Sequence, residues 1–179
     1  MTEDTLIAAA AGGDEQAFET LLDVHYERIY RFAYRWCGNA TDAEDITQLA
    51  CIKLARTIGQ FRGDAAFTSW LFRLVVNCAK DWQKSQRRHQ GEQLTGNPGL
   101  CAPYESEAQT EQHTVYLIEI LNTVDAMGQG FKETALLVLG EGFSHREAGA
   151  LLGVKESTIS WRLHQMRQQL SSLGEEMGG

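Results

Sequence analysis

Hydrophobic residues in the first half of the chain recur at the three-and-four spacing of helical faces. They fall within residues 18–36, within 46–58, and from about 66 into the eighties. Side chains at this spacing lie on one side of an α-helix. Gly38-Asn39 ends the first pattern, and Thr41 followed by Glu44 has capping-box spacing at the start of the second. The pattern therefore predicts three amphipathic helices that pack into one domain.

A loop separates the second and third predicted helices. The segment from Gly59 to Asp64 contains two glycines and interrupts the apolar pattern. It carries Phe61 and Arg62, and an aromatic side chain in a loop has no helical face to join. We expect Phe61 to be exposed there and able to stack on another ring.

The rest of the chain predicts a linker and a second helical domain. Residues 90–112 are rich in Gly, Gln, Glu and Ser, hold both prolines, and show no sustained apolar face, which is typical of a flexible linker. Residues 113–179 again show helical patterns. The sequence thus predicts an all-α fold of two helical domains, residues 1–89 and 113–179, joined by a flexible linker.

The second predicted domain contains a helix-turn-helix. Ser144 and Glu147 have capping-box spacing before a short helix that ends at Gly153. A last helix begins at Glu156 or Ser157, after the turn, and is the longer of the two. Two short helices joined through a glycine turn can place the second helix in the major groove of DNA. On its outer face, three side chains can meet phosphates or base edges and three hydroxyls can donate hydrogen bonds: Arg162, His164 and Arg167, and Ser157, Thr158 and Ser160.

Charge is distributed unevenly along the 179 residues. Sixteen Lys+Arg against 24 Asp+Glu give a net charge of -8, which argues against a general nucleic-acid binder. Residues 25–90, however, hold eleven basic and six acidic residues. The far end of the third helix carries Trp82 among basic side chains, namely Lys80, Lys84, Arg87 and Arg88. Such a surface suits the backbone of a nucleic-acid strand, and the plainer alternative is a solvated helix face.

Motifs for enzymatic chemistry are missing from the sequence. The four cysteines lie far apart, without a Cys-x-x-Cys pair or a histidine at metal-ligand spacing. No Ser-His-Asp set, carboxylate pair or glycine-rich phosphate loop has a fitting context. The sequence predicts no enzymatic activity, no metal and no cofactor. The acidic start and the lack of a membrane-length apolar run predict a cytoplasmic protein without direct membrane insertion, with reduced thiols and Cys101 as the accessible one.

Several motifs together resemble the extracytoplasmic-function (ECF) sigma factors of bacterial RNA polymerase. These are residues 42–48 (Asp-Ala-Glu-Asp-Ile-Thr-Gln), residues 61–71 (Phe-Arg-Gly-Asp-Ala-Ala-Phe-Thr-Ser-Trp-Leu), Asn77 with Asp81, and residues 157–163 (Ser-Thr-Ile-Ser-Trp-Arg-Leu). The resemblance covers nearly the whole chain, with two motif sets in order around a linker. It implies that residues 1–89 are a region-2 domain, which binds core RNA polymerase and recognises and melts the minus-ten promoter element. Residues 113–179 are then a region-4 domain that binds the minus-thirty-five element, and the family also implies an anti-sigma partner.

The resemblance assigns roles to individual residues. The residues that correspond to the polymerase-binding segment are Asp42, Glu44, Asp45 and Gln48. Those that correspond to the minus-ten DNA surface are Phe61, Arg62, Asn77, Lys80, Lys84, Arg87 and Arg88. Those on the helix that reads the minus-thirty-five element are Ser157, Thr158, Ser160, Trp161, Arg162, His164 and Arg167.

The chain departs from the family pattern at three places. Leu49 stands where many members have an acid. Residues 127–130, Met-Gly-Gln-Gly, replace a proline-containing segment that leads into the second domain, so we expect a looser lead-in. Ser160 and Trp161 stand where the recognition helix usually carries Lys and Ser. Less basic charge there predicts weaker and less salt-sensitive binding.

Two other functions fit parts of the sequence. One is a stand-alone helix-turn-helix regulator, whose first helices would serve for dimerisation or sensing and whose operator would be palindromic. The other is a protein-binding decoy that has kept the fold and lost promoter recognition. The basic, aromatic-bearing first domain favours the sigma factor, because a plain sensing domain needs neither feature.

Overall fold

The computed structural model describes the backbone of residues 2–92 and 108–177. The chain forms two compact units, Met1–Glu105 and Ser106–Gly179. All regular elements among the described residues are helical, so the predicted all-α class is confirmed. Of the predicted linker, residues 93–107 lie outside the described residues. The two helices on either side extend into the range 90–112, which corrects the predicted linker ends.

Four helices build the first unit. They are α1 (Glu3–Ala11), α2 (Glu15–Cys37), α3 (Ala40–Thr57), followed by a 3₁₀ turn (Ile58–Gln60), and α4 (Phe67–Glu92). The apolar faces that the sequence predicts for α2, α3 and α4 meet in one core, in which Leu21, Phe32, Ile46, Leu54, Phe72 and Val75 are fully buried. The sequence reasoning missed α1, which packs on α2.

The boundary between α2 and α3 shows one correct prediction and one wrong one. Gly38 ends α2 with a φ of 83°, a left-handed conformation that glycine adopts without a steric penalty. The start of α3 is capped by Asn39, whose Oδ1 accepts a hydrogen bond from the Asp42 amide at 2.9 Å. The predicted Thr41–Glu44 capping box is therefore wrong, because the helix begins at Ala40 and leaves Thr41 inside its first turn.

The second unit is built around a helix-turn-helix. Its elements are α5 (Ala108–Ala126), α6 (Phe131–Ala135), which continues as a π-helical turn (Leu136–Gly140), α7 (His145–Leu152) and α8 (Glu156–Met177). Buried side chains from all four helices form its core, among them Leu121, Val124, Leu137, Ala148, Ile159 and Leu163. The presence of the helix-turn-helix in this second unit is confirmed.

The turn between α7 and α8 is tight. The predicted capping box of Ser144 and Glu147 is present, and Gly153 ends α7 with a φ of 70°. A Cβ atom on Gly149 would lie 2.9 Å from the carbonyl oxygen of Val154, so α7 has no room for a larger residue there. The angle between the two helices is thus fixed by backbone contact.

The cysteines of the described residues are free thiols. Burial raises the pKa of the Cys51 thiol and of the Cys78 thiol. A raised pKa lowers the fraction of reactive thiolate, as expected of cysteines that serve packing. Cys101, predicted to be accessible, lies outside the described residues.

Candidate nucleic-acid interface

The exposed face of α4 carries a line of basic and polar side chains, here called the basic stripe. Its members lie three or four residues apart, except for the adjacent Arg87 and Arg88: Arg73, Asn77, Lys80, Lys84, Arg87 and Arg88. Leu71, Val75 and Ala79 are fully buried on the opposite face, which turns the stripe outward. Arg73 is exposed and was missed by the sequence reasoning, although its position four residues before Asn77 is a usable signal.

Trp82 lies beside the stripe but is not a free platform. The ring is half-buried, and its indole N–H is buried without a hydrogen-bond partner among the described residues. At the far end, the Arg88 Nε donates to the Lys84 carbonyl at 3.5 Å. Lys80 is half-buried, and the other cations of the stripe, Arg73, Lys84, Arg87 and Arg88, are exposed. The exposed cations, rather than the tryptophan, are the groups that this surface offers to a phosphate backbone.

The loop before α4 holds Phe61 in an aromatic cluster. The Phe61 ring stands edge-on to Phe67 with centroids 5.4 Å apart, and it lies 5.5 Å from the Trp70 ring. The expected full exposure of Phe61 is wrong, because the first turn of α4 supplies packing partners and leaves the ring half-buried. Arg62, next to it, is exposed.

A cavity of 640 Å³ lies between this loop and α1. Helix α1 contributes Asp4, Ile7, Ala8 and Ala11, and residues 61–67 form the other wall. The lining therefore joins apolar surface and aromatic rings with the charged side chains of Asp4 and Arg62. A cavity of this mixed character, in the same unit as a basic surface, is suited to a nucleobase turned out of its stack.

His25 connects the two walls of this cavity. Its Nε2 lies 3.0 Å from Oε1 of Glu3 on α1, and its ring centroid lies 5.4 Å from that of Phe67. Burial lowers the pKa of His25, and Arg28 adds to this, whereas Glu3 acts in the opposite direction. Because α1 and His25 carry no motif, this half of the site could not be predicted from the sequence.

The exposed side of α3 mixes acids with apolar side chains. Glu44, Asp45 and Gln48 are exposed, and Asp42 is half-buried because the Asn39 amide donates to its carboxylate at 2.6 Å. On the same helix Leu49 is 46% exposed, and one turn further on Ile52 is 50% exposed. We call these residues of α3 the acidic face. Apolar side chains left open beside charges are typical of a protein-binding surface.

The predicted recognition residues on α8 do not all face the same way. Ser157, Ser160, His164 and Arg167 are exposed, Thr158 is half-buried, and Trp161 is 55% exposed. Arg162 turns inward instead. Its Nη1 donates to Oγ1 of Thr134 at 3.4 Å.

The inward turn of Arg162 depends on Gly130. A Cβ at position 130 would overlap the guanidinium, and Gly130 itself has a φ of 86°. The lead-in to α6 is also held by backbone hydrogen bonds, including the Phe131 amide to the Gly128 carbonyl at 3.4 Å and the Met127 amide to the Val124 carbonyl at 3.1 Å. The segment that the sequence predicts to be loose thus gains contacts through its glycines.

The fold and these surfaces define the class of the protein: a two-part helical protein with a basic helix in one unit and a helix-turn-helix in the other. Within the described residues, no group of three or more His, Cys, Asp or Glu side chains is arranged to hold a metal. No described helix is both long and apolar enough to span a membrane.

Comparisons with known proteins agree with this class. The family model for Sigma-70 region 2 matches residues 21–89. The ECF RNA polymerase sigma factor SigE of Mycolicibacterium smegmatis is 32% identical over 164 residues, which cover 89% of this chain and 63% of SigE. The chain thus spans less than two thirds of SigE. The chain is therefore similar to the ECF sigma factors of bacterial RNA polymerase, and its residues 21–89 match their region 2.

Two solved structures share the fold. CnrH, in complex with the cytosolic domain of CnrY, has a TM-score of 0.72 at 24% identity, covering 96% of both chains. The sigma factor RpoE of Bartonella quintana, in complex with the anti-sigma factor NepR, has a TM-score of 0.66 at 22% identity and covers 88% of this chain and 96% of that one. This likeness is one of fold, and it covers both units.

Proposed function

We propose that the chain is an alternative sigma factor that binds core RNA polymerase and directs it to a specific set of promoters. The observation that carries the proposal is the basic stripe of α4 in the same unit as the open 640 Å³ cavity lined by Phe61 and Phe67. A basic surface suits duplex and single-stranded DNA alike, whereas a cavity open to an unstacked base suits a protein that holds a melted strand. The protein then performs no chemistry of its own and acts in the cytoplasm, where the polymerase works.

The acidic face of α3 is the proposed polymerase-binding surface. Its charged and amide members are Asp42, Glu44, Asp45 and Gln48. The exposed side chains of Leu49 and Ile52 add apolar area, which would be buried against the polymerase and would lower the dissociation rate. Leu49, in place of an acid, shifts this contact from charge towards apolar burial.

The minus-ten element is the proposed ligand of the stripe and the cavity. Lys80, Lys84, Arg87 and Arg88 would neutralise phosphates, and Asn77 offers an amide to a base edge or to the backbone. Phe61 and Arg62 form the rim of the cavity that would receive a base turned out of the melted strand. Arg73 extends the same surface and joins the proposed set.

The minus-thirty-five element is the proposed ligand of α8. The side chains that face solvent there are Ser157, Ser160, Trp161, His164 and Arg167, with Thr158 half-buried beside them. Arg162 supports this helix from the inner side through Thr134. An anti-sigma factor is the proposed regulator, since the structure of RpoE with NepR shows a chain of this fold bound to one.

The test is association with polymerase followed by promoter-specific transcription. The tagged chain is expected to co-purify with core RNA polymerase and to give discrete start sites in run-off transcription on fragmented DNA of the source organism. The double variant Arg87→Ala/Arg88→Ala should retain polymerase association and lose most of the transcript. The control is Arg31→Ala, which removes an exposed arginine of α2 outside both the stripe and the acidic face and should transcribe normally.

A different result would identify the rival function. If the chain fails to bind polymerase, forms a stable dimer, and shifts palindromic duplex DNA unaided, it is a stand-alone regulator. If it binds polymerase and supports no transcript on any fragment, it is a decoy.

A further inference from the structure

Ser160 is engaged within the protein, although it is exposed on the recognition helix. Its Oγ lies 3.2 Å from the Glu156 carbonyl oxygen, to which it donates, and 2.8 Å from Nδ1 of His145 on α7. A hydroxyl has one proton, so when it donates to the carbonyl it must accept from the histidine. Ser160 therefore has no donor left to offer to a base edge in this arrangement.

Arg162 is also withdrawn from the outer face of α8. Its guanidinium lies against Gly130 and donates to Thr134, both at α6. The residues on either side of position 161 thus hold α8 in place within the second unit. The Ser160 hydroxyl is engaged within the protein, and the Arg162 guanidinium is directed towards α6.

Trp161 lies between them and presents its side chain to solvent. Its side chain is 55% exposed, and its ring contacts Phe131 at a centroid distance of 5.7 Å and an interplanar angle of 60°. Phe131 is buried, so it supports one side of the indole and leaves the other side open. A supported aromatic ring offers a large apolar contact at a low entropy cost.

We propose that Trp161 is a specificity-determining residue of the minus-thirty-five contact and packs on the 5-methyl group of a thymine. The inference rests on the proposed function, which brings α8 to the major groove. Among the base edges displayed there, the thymine methyl is the apolar group, while the other features are hydrogen-bond donors and acceptors. An open apolar ring between two engaged polar neighbours fits the methyl group best.

The experiment replaces single thymines by deoxyuridine, which removes only the methyl group. Holoenzyme is assembled from the full chain and core polymerase on a promoter mapped by run-off transcription, and the affinity for duplex promoter is measured for each substitution in the minus-thirty-five element. We expect one position at which deoxyuridine lowers binding by the wild type about fourfold, the transfer free energy of one methyl group. Trp161→Ser should bind both templates equally, and Trp161→Phe should keep part of the discrimination.

His164→Ala is the matched control, because His164 is exposed on the same helix. It should weaken binding to thymine and deoxyuridine templates by the same factor and leave the fourfold ratio intact. The proposal is overturned if no deoxyuridine substitution matters, if Trp161→Ser shows the same ratio as the wild type, or if the mapped element contains no thymine. If the wild-type holoenzyme transcribes from a promoter but fails this test, only the role of Trp161 is contradicted. Failure of the proposed function itself would show as the absence of any specific transcript.

Discussion

The two units offer nucleic acid very different surfaces. In the first unit, α4 turns its cations outward along one line, and the buried side of the same helix is purely apolar. In the second unit, α8 turns Arg162 inward and presents an aromatic ring and hydroxyls, with Arg167 as an exposed cation. The comparison shows that one unit can supply most of the positive charge for nucleic acid while the other supplies an aromatic and polar surface. Under the proposed function, it also accounts for promoter binding by a chain with a net charge of -8.

The comparison depends first on whether the units are independent in stability. Phe72 is fully buried, packs edge-on against Phe32 at 5.5 Å, and receives the Arg28 guanidinium over its ring at 4.8 Å. Phe72→Ala should destabilise the first unit by about 3–5 kcal/mol, through lost burial and a cavity. Hydrogen exchange on the full chain should show faster exchange in α2–α4 and unchanged protection in α7 and α8.

Leu137→Ala is the counterpart in the second unit, where Leu137 is fully buried. It should cost about 2–5 kcal/mol and leave protection of the first unit unchanged. Faster exchange of both units after either substitution would mean that the chain unfolds as one body.

A second prediction separates the two surfaces by salt. Each exposed cation that neutralises a phosphate contributes roughly 0.7 to the logarithmic salt slope on a single strand and about 0.9 on a duplex. Arg87→Ala/Arg88→Ala should therefore weaken holoenzyme binding roughly tenfold or more at about 0.1 M salt and lower the slope by about 1.4. Trp161→Ser should leave the slope unchanged, as measured by filter binding over a salt series. Equal salt slopes for the two variants would contradict the proposal that the first unit binds through charge and Trp161 through apolar contact.

A third prediction concerns the glycine that receives Arg162. Gly130→Ala should destabilise the second unit by about 1–2 kcal/mol from its left-handed backbone alone, and further through overlap with the guanidinium. Gly142→Ala is the matched control, since its φ is 79° and a Cβ there meets no atom within 4 Å. In urea denaturation, Arg162→Ala should recover part of the loss in the Gly130 variant and none in the Gly142 variant.

A fourth prediction tests the helix starts in the two units. Asn39→Ala and Ser144→Ala should each cost about 1 kcal/mol, because each removes the acceptor for a first-turn amide. Thr41→Ala should be close to neutral in the same thermal denaturation, since Thr41 does not cap α3. A loss at Thr41 as large as that at Asn39 would restore the capping box that the sequence predicts.

The fifth and smallest predicted effect is a pH dependence of the stability of the first unit. The pKa of His25 is lowered in the folded state, so the unfolded chain takes up this proton first as the pH falls. Its contribution to stability is complete above the ordinary pKa of 6.5 and decreases as the pH falls from there towards the lowered value. His25→Gln should remove this part of the pH dependence, as followed by urea denaturation at a series of pH values. An unchanged dependence would assign it to other groups.

The sequence predicts the helices with a clear apolar face and misses the one without. Helix α1 is a run of Leu-Ile-Ala-Ala-Ala-Ala with little contrast between its sides, and its place is set by contacts with α2, such as that of Glu3 with His25. Its absence from the prediction hid half of the cavity. Local pattern cannot supply a contact between residues 22 positions apart in the chain.

The candidate site likewise contains residues that could be predicted from the sequence and residues that could not. Spacing along α4 predicted most of the basic stripe, because exposed positions on a long helix follow from its period. The direction of Arg162 did not follow, since it depends on the space that the missing Cβ of Gly130 leaves in another element. Phe61 likewise finds its partners in the turn that follows it, so its half-burial is a tertiary property.

The support of Trp161 by Phe131 has an optical consequence. The other tryptophans, Trp36, Trp70 and Trp82, lie in the first unit, so Trp161 is the only indole chromophore of the second. Its half-exposed ring should emit at longer wavelength than the buried Trp36. Replacing the first three by phenylalanine would leave a chain whose tryptophan fluorescence reports from α8 alone.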